Sequence, residues 1–225
     1  MLLQAVDLKK SFPERGVEAL RGVSFSIARG QTLGIMGESG SGKSTLAKIV
    51  LGILKPDSGE TFFEGVPFKK FDKNNFKNFR RKVQGIFQNP ALSLDPRMRV
   101  RDILREPYLI HGALKVGGID RNIRALLDSV ELNERFLDRF PRQLSGGECQ
   151  RVAIARALST DPELIVCDEA VSSLDLLIQA GILNLLLKLQ KERSVSYLFI
   201  THDPAVARHM SDQILIIKEG RVLIQ

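Results

Sequence analysis

Short apolar runs alternate with segments of helical periodicity along much of this 225-residue chain. Apolar runs that are typical of buried strands occupy residues 32–36, 83–87, 164–167 and 196–201. Segments with apolar residues at helical spacing follow these runs, the clearest at residues 46–51, 176–192 and 205–211. Strands that alternate with helices in this way predict an α/β fold built on a parallel sheet.

Two parts of the chain depart from this alternation. Residues 2–8 and 23–27 alternate apolar and polar positions like half-buried strands, with a loop at residues 12–16 between them. Residues 60–63 and 66–68 predict a hairpin, so we expect an antiparallel β portion near the N-terminus. From Ala91 to Leu137 the strand pattern disappears, and residues 100–110 and 119–130 have helical spacing, with Gly117 and Gly118 separating them. We therefore expect a helical insertion near residues 89–150.

A glycine-rich segment at residues 37–45 lies between the first apolar run and the helix that follows it. It fits the pattern G-x-x-x-x-G-K-[ST], followed by a threonine, and reads Gly37-Glu38-Ser39-Gly40-Ser41-Gly42-Lys43-Ser44-Thr45. Its glycines let successive backbone N–H groups point inward at an anion, and the helix adds its positive end. Lys43 supplies a charge for the β- and γ-phosphates, and Ser44 offers a hydroxyl to Mg²⁺. A glycine turn beside an unrelated lysine is the alternative, but the flanking strand and helix favour a nucleoside triphosphate site. We call residues 37–45 the phosphate loop.

Two acidic residues end the apolar run at residues 164–167. Asp168 and Glu169 would stand at the carboxyl edge of a parallel strand, where ligands bind in open α/β sheets. Asp168 is placed to hold Mg²⁺, and Glu169 is placed to orient and deprotonate an attacking water molecule. An ordinary strand end is the alternative reading of these two residues alone. The phosphate loop upstream makes hydrolysis of the triphosphate the better interpretation.

A second glycine-rich segment precedes another helix, at Leu144-Ser145-Gly146-Gly147-Glu148-Cys149-Gln150. Ser145 is a favourable N-cap residue, and the two glycines leave their N–H groups accessible. This arrangement predicts a second anion site at a helix N-terminus, without a lysine. A capped helix would explain the serine but not the paired glycines. Head-to-tail pairing of two chains explains both, because this segment would then cap the γ-phosphate held by a partner chain.

Together these segments resemble the nucleotide-binding subunit of ABC transporters over essentially the full chain. Residues 144–150 are similar to the signature motif of that family, with Glu148 where glutamine is commonest, and we call them the signature segment. The resemblance implies a P-loop ATPase with a RecA-like core, using ATP and Mg²⁺. It also implies a core at residues 1–88 and 151–225, with the helical subdomain at residues 89–150.

The resemblance assigns further roles position by position. Phe12 would stack on adenine, although the residue alone is more typical of a core aromatic. Gln88 would touch Mg²⁺ and link the site to a membrane partner. Residues 172–175 would lie at a dimer interface through Asp175, and His202 would contact the γ-phosphate. The sequence around His202 alone leaves a site role and an ordinary strand end equally open.

Several features narrow the class within the family. One phosphate loop with one signature segment argues against tandem ABC proteins, and the short insertion argues against chromosome-maintenance ATPases. No apolar run reaches the length of a membrane span, which argues against a fused exporter. We therefore expect the separate ATPase of a bacterial importer, peripheral on the cytoplasmic face of the inner membrane. Its partners would be a second ATPase subunit, two membrane permease subunits and an extracytoplasmic solute-binding protein. A non-transport ABC switch is the alternative from another class.

The solute is suggested by the resemblance alone. The segment Phe87-Gln88-Asn89-Pro90-Ala91-Leu92-Ser93-Leu94-Asp95-Pro96-Arg97 is similar to the peptide/nickel importer group. Residues 168–175 lack the usual proline-threonine after Glu169, and with residues 179–181 they are most similar to the second ATPase of nickel importers. The sequence ends without the long C-terminal extension common in oligopeptide ATPases, and a truncated chain would end in the same way. We favour nickel or a nickel chelate over a di- or oligopeptide.

Charge and cysteine content add two limits. The net charge of +7 is partly local, in a basic patch that comprises Lys69, Lys70, Lys73, Lys77, Arg80, Arg81 and Lys82. Such a patch suits nucleic acid, anionic lipid or an acidic partner, or is a solvated helix face. The chain has no tryptophan, and we favour the solvated face and expect no nucleic-acid partner. Two cysteines, Cys149 and Cys167, argue for a reducing compartment and against a disulfide or zinc framework. The strand-like start argues against a signal peptide.

Overall fold

The computed structural model describes residues 1–89, 93–112 and 116–223. Its strands are β1 (Leu3–Phe12), β2 (Val17–Ile27), β3 (Thr32–Met36), β4 (Ser58–Phe63), β5 (Val66–Pro67), β6 (Val83–Phe87), β7 (Leu164–Asp168), β8 (Ser196–Ile200), β9 (Gln213–Lys218) and β10 (Arg221–Leu223). Its helices are α1 (Lys43–Val50), α2 (Lys73–Lys82), α3 (Val100–His111), α4 (Val116–Ser129), α5 (Gly146–Leu158), α6 (Leu176–Arg193) and α7 (Pro204–Met210).

An antiparallel sheet with the strand order β2-β1-β4-β5 confirms the β portion expected near the N-terminus. The pairing of β1 with β2 runs from Leu3 opposite Ile27 to Phe12 opposite Val17. Both strands are therefore longer than the sequence predicted, because pairing continues up to the turn. The expected loop contains a short 3₁₀ helix, Pro13–Arg15.

The second sheet has the order β10-β9-β3-β8-β7-β6, and all its neighbours are parallel except β10 with β9. In the register of this sheet, Asp168 of β7 lies opposite Phe87 of β6 and opposite Ile200 of β8. The carboxyl ends of the central strands therefore align at one edge. This edge is where the phosphate loop leaves β3.

The parallel sheet is buried on both faces, which explains the continuous apolar runs of its strands. Along β7, Leu164 and Val166 pack into the core shared with α1 and the antiparallel sheet, and Ile165 and Cys167 pack into the core shared with α3 to α6. Both cysteines are free and buried. None of the helices within the described residues is both long and apolar enough to span a bilayer.

The helical insertion is confirmed by α3 and α4, but the predicted boundary between them is wrong. Gly117 and Gly118 lie in the first turn of α4 rather than between the helices. Glycine is tolerated there because the first N–H groups of a helix have no intrahelical partner in any case. The end of the chain, predicted as a strand over residues 222–225, is described only as β10, and residues 224 and 225 lie outside the described residues.

Lysines of the basic patch take part in contacts that join the two sheets. Lys82 pairs with Glu64 at 2.8 Å and with Glu163 at 2.7 Å, and Arg29 pairs with the same two carboxylates. Lys69 pairs with Glu60 at 2.9 Å. Part of the basic patch therefore holds the turns of both sheets together, and the rest of α2 presents its charges to solvent.

Candidate nucleotide-binding site

A cleft of about 420 Å³ opens at the carboxyl edge of the parallel sheet. The phosphate loop after β3, Gln88 after β6 and the acidic pair at the end of β7 meet here because their strands are neighbours. The lining residues are Phe12, Val17, Ala19, Ser39, Gly40, Gly42, Lys43, Ser44, Thr45, Gln88, Asp168 and Glu169.

The phosphate loop folds closely against β2 and β9, and its glycines permit this approach. A Cβ atom on Gly42 would lie 2.2 Å from the carbonyl oxygen of Ala19, and Gly42 has φ +108°. A Cβ atom on Gly37 would lie 2.3 Å from the carbonyl oxygen of Ile217. Only glycine fits at such distances. The remaining loop residues Glu38 and Ser41 belong to the same turn without lining the cleft.

The start of α1 is open to a ligand. Its N-cap is Gly42, and within the described residues no side-chain hydrogen bond caps this end of the helix. Lys43 is 5% exposed, and its Nζ donates hydrogen bonds to the carbonyl oxygens of Gly37 at 2.8 Å and Glu38 at 2.7 Å. Free N–H groups and a buried lysine in one concave loop can bind a polyphosphate.

Oxygen donors converge beside this loop. The Ser44 hydroxyl donates to Oδ1 of Asp168 at 3.4 Å. Burial raises the pKa of the Asp168 carboxyl, against the opposing effect of the Ser44 hydrogen bond. A hydroxyl, a carboxylate and the amide of Gln88 at the same cleft are ligands that suit Mg²⁺.

Glu169 is held by its backbone at the turn after β7. It has φ +50°, which is uncommon for a residue with a side chain, and its N–H donates to the carbonyl of Ile200 at 3.0 Å. The turn directs the carboxylate into the cleft beside Asp168. His202, after β8, has its Nδ1 3.6 Å from Oε1 of Glu169. His202 is 60% exposed and stands outside the lining of the cleft.

Phe12 stands at the opposite wall of the cleft, at the end of β1, and is partly exposed. Val17 and Ala19 of β2 line the same wall, and the sequence analysis missed both. The available signal was the hairpin itself, since a residue that pairs across from Phe12 must share its surroundings.

The signature segment lies outside this cleft and caps α5. The Ser145 hydroxyl accepts the N–H of Glu148 at 3.3 Å, and the Glu148 carboxylate accepts the N–H of Ser145 at 2.7 Å. This capping box confirms Ser145 as an N-cap and gives Glu148 a structural role. A Cβ atom on Gly147 would lie 2.7 Å from Cγ2 of Ile178. Packing within one chain thus already requires one of the paired glycines.

Residues 172–175 connect the cleft with α6. The Ser172 hydroxyl donates to the carbonyl of Glu169 at 3.0 Å, and the Ser173 hydroxyl donates to the carbonyl of Gln88 at 3.1 Å. Asp175 caps α6 by accepting the N–H of Ile178 at 3.0 Å. The segment is therefore tied to two cleft residues and to the helix that packs on the signature segment.

A phosphate loop at the head of α1, with acidic residues at a neighbouring strand end, defines a P-loop ATPase. A family model described as "ABC transporter" matches residues 20–172, and the chain belongs to the ABC transporter family. The expected family and its cassette fold are thereby confirmed, and so is a role as an ATP-hydrolysing protein of transport.

Curated relatives align along most of the chain. The dipeptide transport ATP-binding protein DppF of Escherichia coli is 43% identical over 228 residues, which cover 98% of this chain and 68% of the relative. The oligopeptide transport ATP-binding protein AppF of Bacillus subtilis is 40% identical, covering 99% and 70%. The nickel import ATP-binding protein NikE of Brucella abortus is 44% identical over 204 residues, covering 91% and 77%.

Solved structures agree with the fold. CbiO1 from Clostridium perfringens, part of the ABC transporter complex cbiONQ, has a TM-score of 0.88 at 30% identity, covering 100% of this chain and 87% of that one. The ATP-binding cassette MJ0796, a dimer in a post-hydrolysis state bound to ADP and Pi, has a TM-score of 0.87 at 33% identity, covering 99% and 97%.

Proposed function

We propose that this chain binds and hydrolyses ATP to power a bacterial importer of peptides or nickel. The observation that carries the proposal is the single cleft that joins the phosphate loop, Gln88, Asp168 and Glu169. The named relatives are all transport ATP-binding proteins, which supports transport over a non-transport switch.

The phosphate loop would hold the triphosphate through its backbone N–H groups, residues 37–45, with Phe12 stacked on adenine at the other wall. Lys43 would exchange its bonds to the Gly37 and Glu38 carbonyls for phosphate oxygens. Glu169 would then accept a proton from the water molecule that attacks the γ-phosphate, which gives ADP and phosphate. His202 would contact the γ-phosphate from its position beside Glu169.

Ser44, Gln88 and Asp168 would hold Mg²⁺ in this proposal. The fit rests on their oxygen donors and on the half-buried Asp168 carboxyl beside the Ser44 hydroxyl. The ion supplies charge neutralisation for the phosphate oxygens when it is bound. The protein residues position that charge against the β- and γ-phosphates.

A second ATPase subunit would complete the site. Its Ser145, Gly146 and Gly147 would cap the γ-phosphate bound by this chain, and Asp175 would lie at the interface. The signature segment stands outside the chain's own cleft, which supports a role toward a partner. The partner is a second copy or a similar ATPase. The dimeric structure of MJ0796 supports pairing of such cassettes.

The remaining partners follow from the importer proposal. Two membrane permease subunits would bind near Gln88, and an extracytoplasmic solute-binding protein would deliver the solute. The chain would then work peripherally at the cytoplasmic face of the inner membrane, with no nucleic-acid partner. The helical subdomain near residues 89–150 would move against the core at 1–88 and 151–225. ATP would close the dimer, and hydrolysis would reopen it.

The solute is a peptide or nickel, and the relatives support both. Identity is 43% to the dipeptide protein and 44% to the nickel protein, over 228 and 204 residues. The features around residues 168–181 favoured nickel. The overall identities to the dipeptide and nickel proteins are nearly equal and favour neither solute. Uptake of radiolabelled nickel and of a labelled dipeptide by the complete transporter would separate the two.

Glu169→Gln tests the hydrolytic role. The amide cannot accept the proton of water, so turnover should fall by roughly 100-fold or more, while ATP binding stays intact. In size-exclusion chromatography the variant should form a dimer in the presence of ATP. Glu134→Gln, on the outer helical surface, serves as the matched control. Wild-type turnover in Glu169→Gln would remove Glu169 from catalysis.

A further inference from the structure

Phe12 is the partly exposed aromatic ring at the wall of the cleft where the base would bind. Phe12 is the last residue of β1, directly before the short 3₁₀ helix Pro13–Arg15. Strand ends beside turns are held by few ladder bonds, so a ring at this place needs another support. The contacts around residues 9–12 show what supplies it.

Asp57, which comes from the turn after α1, binds the end of β1 at three points. Its Oδ1 accepts a hydrogen bond from Nζ of Lys10 at 2.6 Å, and its Oδ2 accepts one from the N–H of Ser11 at 2.7 Å. Its own N–H donates to the carbonyl of Lys9 at 2.8 Å. The Lys10 hydrogen bond, followed by that of Ser11, lowers the pKa of the Asp57 carboxyl. The carboxylate therefore stays ionised and bonded at neutral pH.

Lys10 carries this support to the ring. Lys10 and Phe12 are two residues apart near the end of β1, where the pairing with β2 shifts register between Lys10 and Ser11. The Lys10 Nζ lies 5.7 Å from the centroid of the Phe12 ring, within the range of a cation–π contact. The Lys10 side chain is only 16% exposed, which shows that it packs along the sheet rather than extending into solvent.

The backbone fixes the turn of Asp57 against β1. Gly59 has φ +86°, and a Cβ atom there would lie 2.3 Å from the carbonyl oxygen of Asp7. The turn thus crosses β1 in direct backbone contact. The same turn follows α1, and the first residues of α1 belong to the phosphate loop. The segment from α1 to Asp57 therefore connects the phosphate loop with the end of β1 that carries Phe12.

We propose that Asp57 is a positioning residue for the base-stacking ring: it anchors Lys10 and the Ser11 backbone, which hold Phe12 where a nucleobase meets it. This inference rests on the proposed ATP site. An exposed ion pair without this role would leave nucleotide affinity unchanged. A ring already held in place loses less freedom on binding, so the support should appear as affinity for the base and not for the phosphates.

The test compares two ligands by calorimetry in the presence of Mg²⁺: ATP and inorganic tripolyphosphate, which has no base. Phe12→Ala should weaken ATP binding at least about fivefold and leave tripolyphosphate unchanged. Asp57→Ala should weaken ATP binding roughly two- to fivefold, again without affecting tripolyphosphate. Asp57→Asn, which keeps one acceptor oxygen, should lie between Asp57→Ala and the wild type. Glu60→Ala, which removes an ion pair with Lys69 in the same sheet, is the matched control and should match the wild type for both ligands.

The outcomes separate the inference from the proposed function. Unchanged ATP affinity in Asp57→Ala would overturn the positioning role, and so would an equal loss for ATP and tripolyphosphate, which indicates general unfolding. A wild-type chain that binds neither ligand would overturn the proposed ATP site itself. A wild-type chain that binds both ligands, with selectivity lost only in Phe12→Ala, would keep the ATP site and remove Asp57.

Discussion

The phosphate loop and the signature segment each lead into a helix, and these two helix N-termini are built in opposite ways. At α1 the N-cap is Gly42, the part of the chain that the structure describes supplies no side-chain cap bond, and Lys43 is buried. At α5 the N-cap is Ser145, and the capping box with Glu148 bonds one N–H in each direction. One start keeps its donors and positive charge available for a ligand. The N-terminus of α5 has its capping hydrogen bonds made by its own side chains, and Glu148 places a negative charge in its first turn.

This difference indicates a division of labour between the two starts. The phosphate loop can bind a polyphosphate alone, because free donors and a lysine converge there. The signature segment lacks a lysine, and Glu148 opposes an anion nearby. In the proposed dimer it would contribute to a phosphate that another chain already holds. The two starts therefore suit a site divided between two subunits.

The largest effect on ATP binding should come from removing the positive charge of Lys43 at the N-terminus of α1. Lys43→Ala should weaken ATP binding to the single chain about 10- to 100-fold, because a charge-assisted contact to phosphate is lost. Lys188→Ala, at an exposed position of α6 outside the cleft lining, is the control and should bind ATP like the wild type. Calorimetric titration with ATP measures both. Equal affinity in Lys43→Ala and wild type would show that the phosphate loop assignment is wrong.

A smaller effect, on dimerisation, should follow from removing the negative charge of Glu148 at the N-terminus of α5. Glu148→Gln keeps a side-chain acceptor for the Ser145 N–H but removes a negative charge that would face the partner's phosphate in the proposed dimer. In the Glu169→Gln background, ATP-driven dimerisation should strengthen roughly two- to fivefold. Analytical ultracentrifugation with ATP measures the dimer constant. A weaker dimer would show that the Glu148 charge supports pairing instead of opposing it.

Local pattern was sufficient for most of the fold and for the centre of the site. The strands β3, β6, β7 and β8 were predictable because buried parallel strands are short and continuously apolar. Lys43, Asp168 and Glu169 follow the carboxyl ends of such apolar runs, which predicted that they lie at one edge of the sheet. The Ser145–Glu148 capping box was also present as an S-x-x-E pattern, a signal that the sequence analysis passed over.

What could not be predicted depends on contacts between distant segments. Val17 and Ala19 line the cleft only because β1 and β2 pair up to an irregular turn. The hydrogen bonds of Asp57 to Lys10 and Ser11, which support Phe12, join residues far apart in the chain. No local sequence pattern predicts such contacts. Gly117 and Gly118 lie in the first turn of α4, so the sequence placed the helix boundary too late.

The central claim is that one chain's phosphate loop is completed by another chain's signature segment, and mixing two defective variants tests it directly. Lys43→Ala lacks a working phosphate loop, and Ser145→Asp keeps the α5 cap but places a second negative charge at the signature segment. Each variant alone should hydrolyse ATP very slowly. An equal mixture should recover about a quarter of wild-type turnover, because half of the dimers then carry one complete site of two. A mixture that is no faster than the mean of the separate variants would contradict a site divided between two copies of this chain.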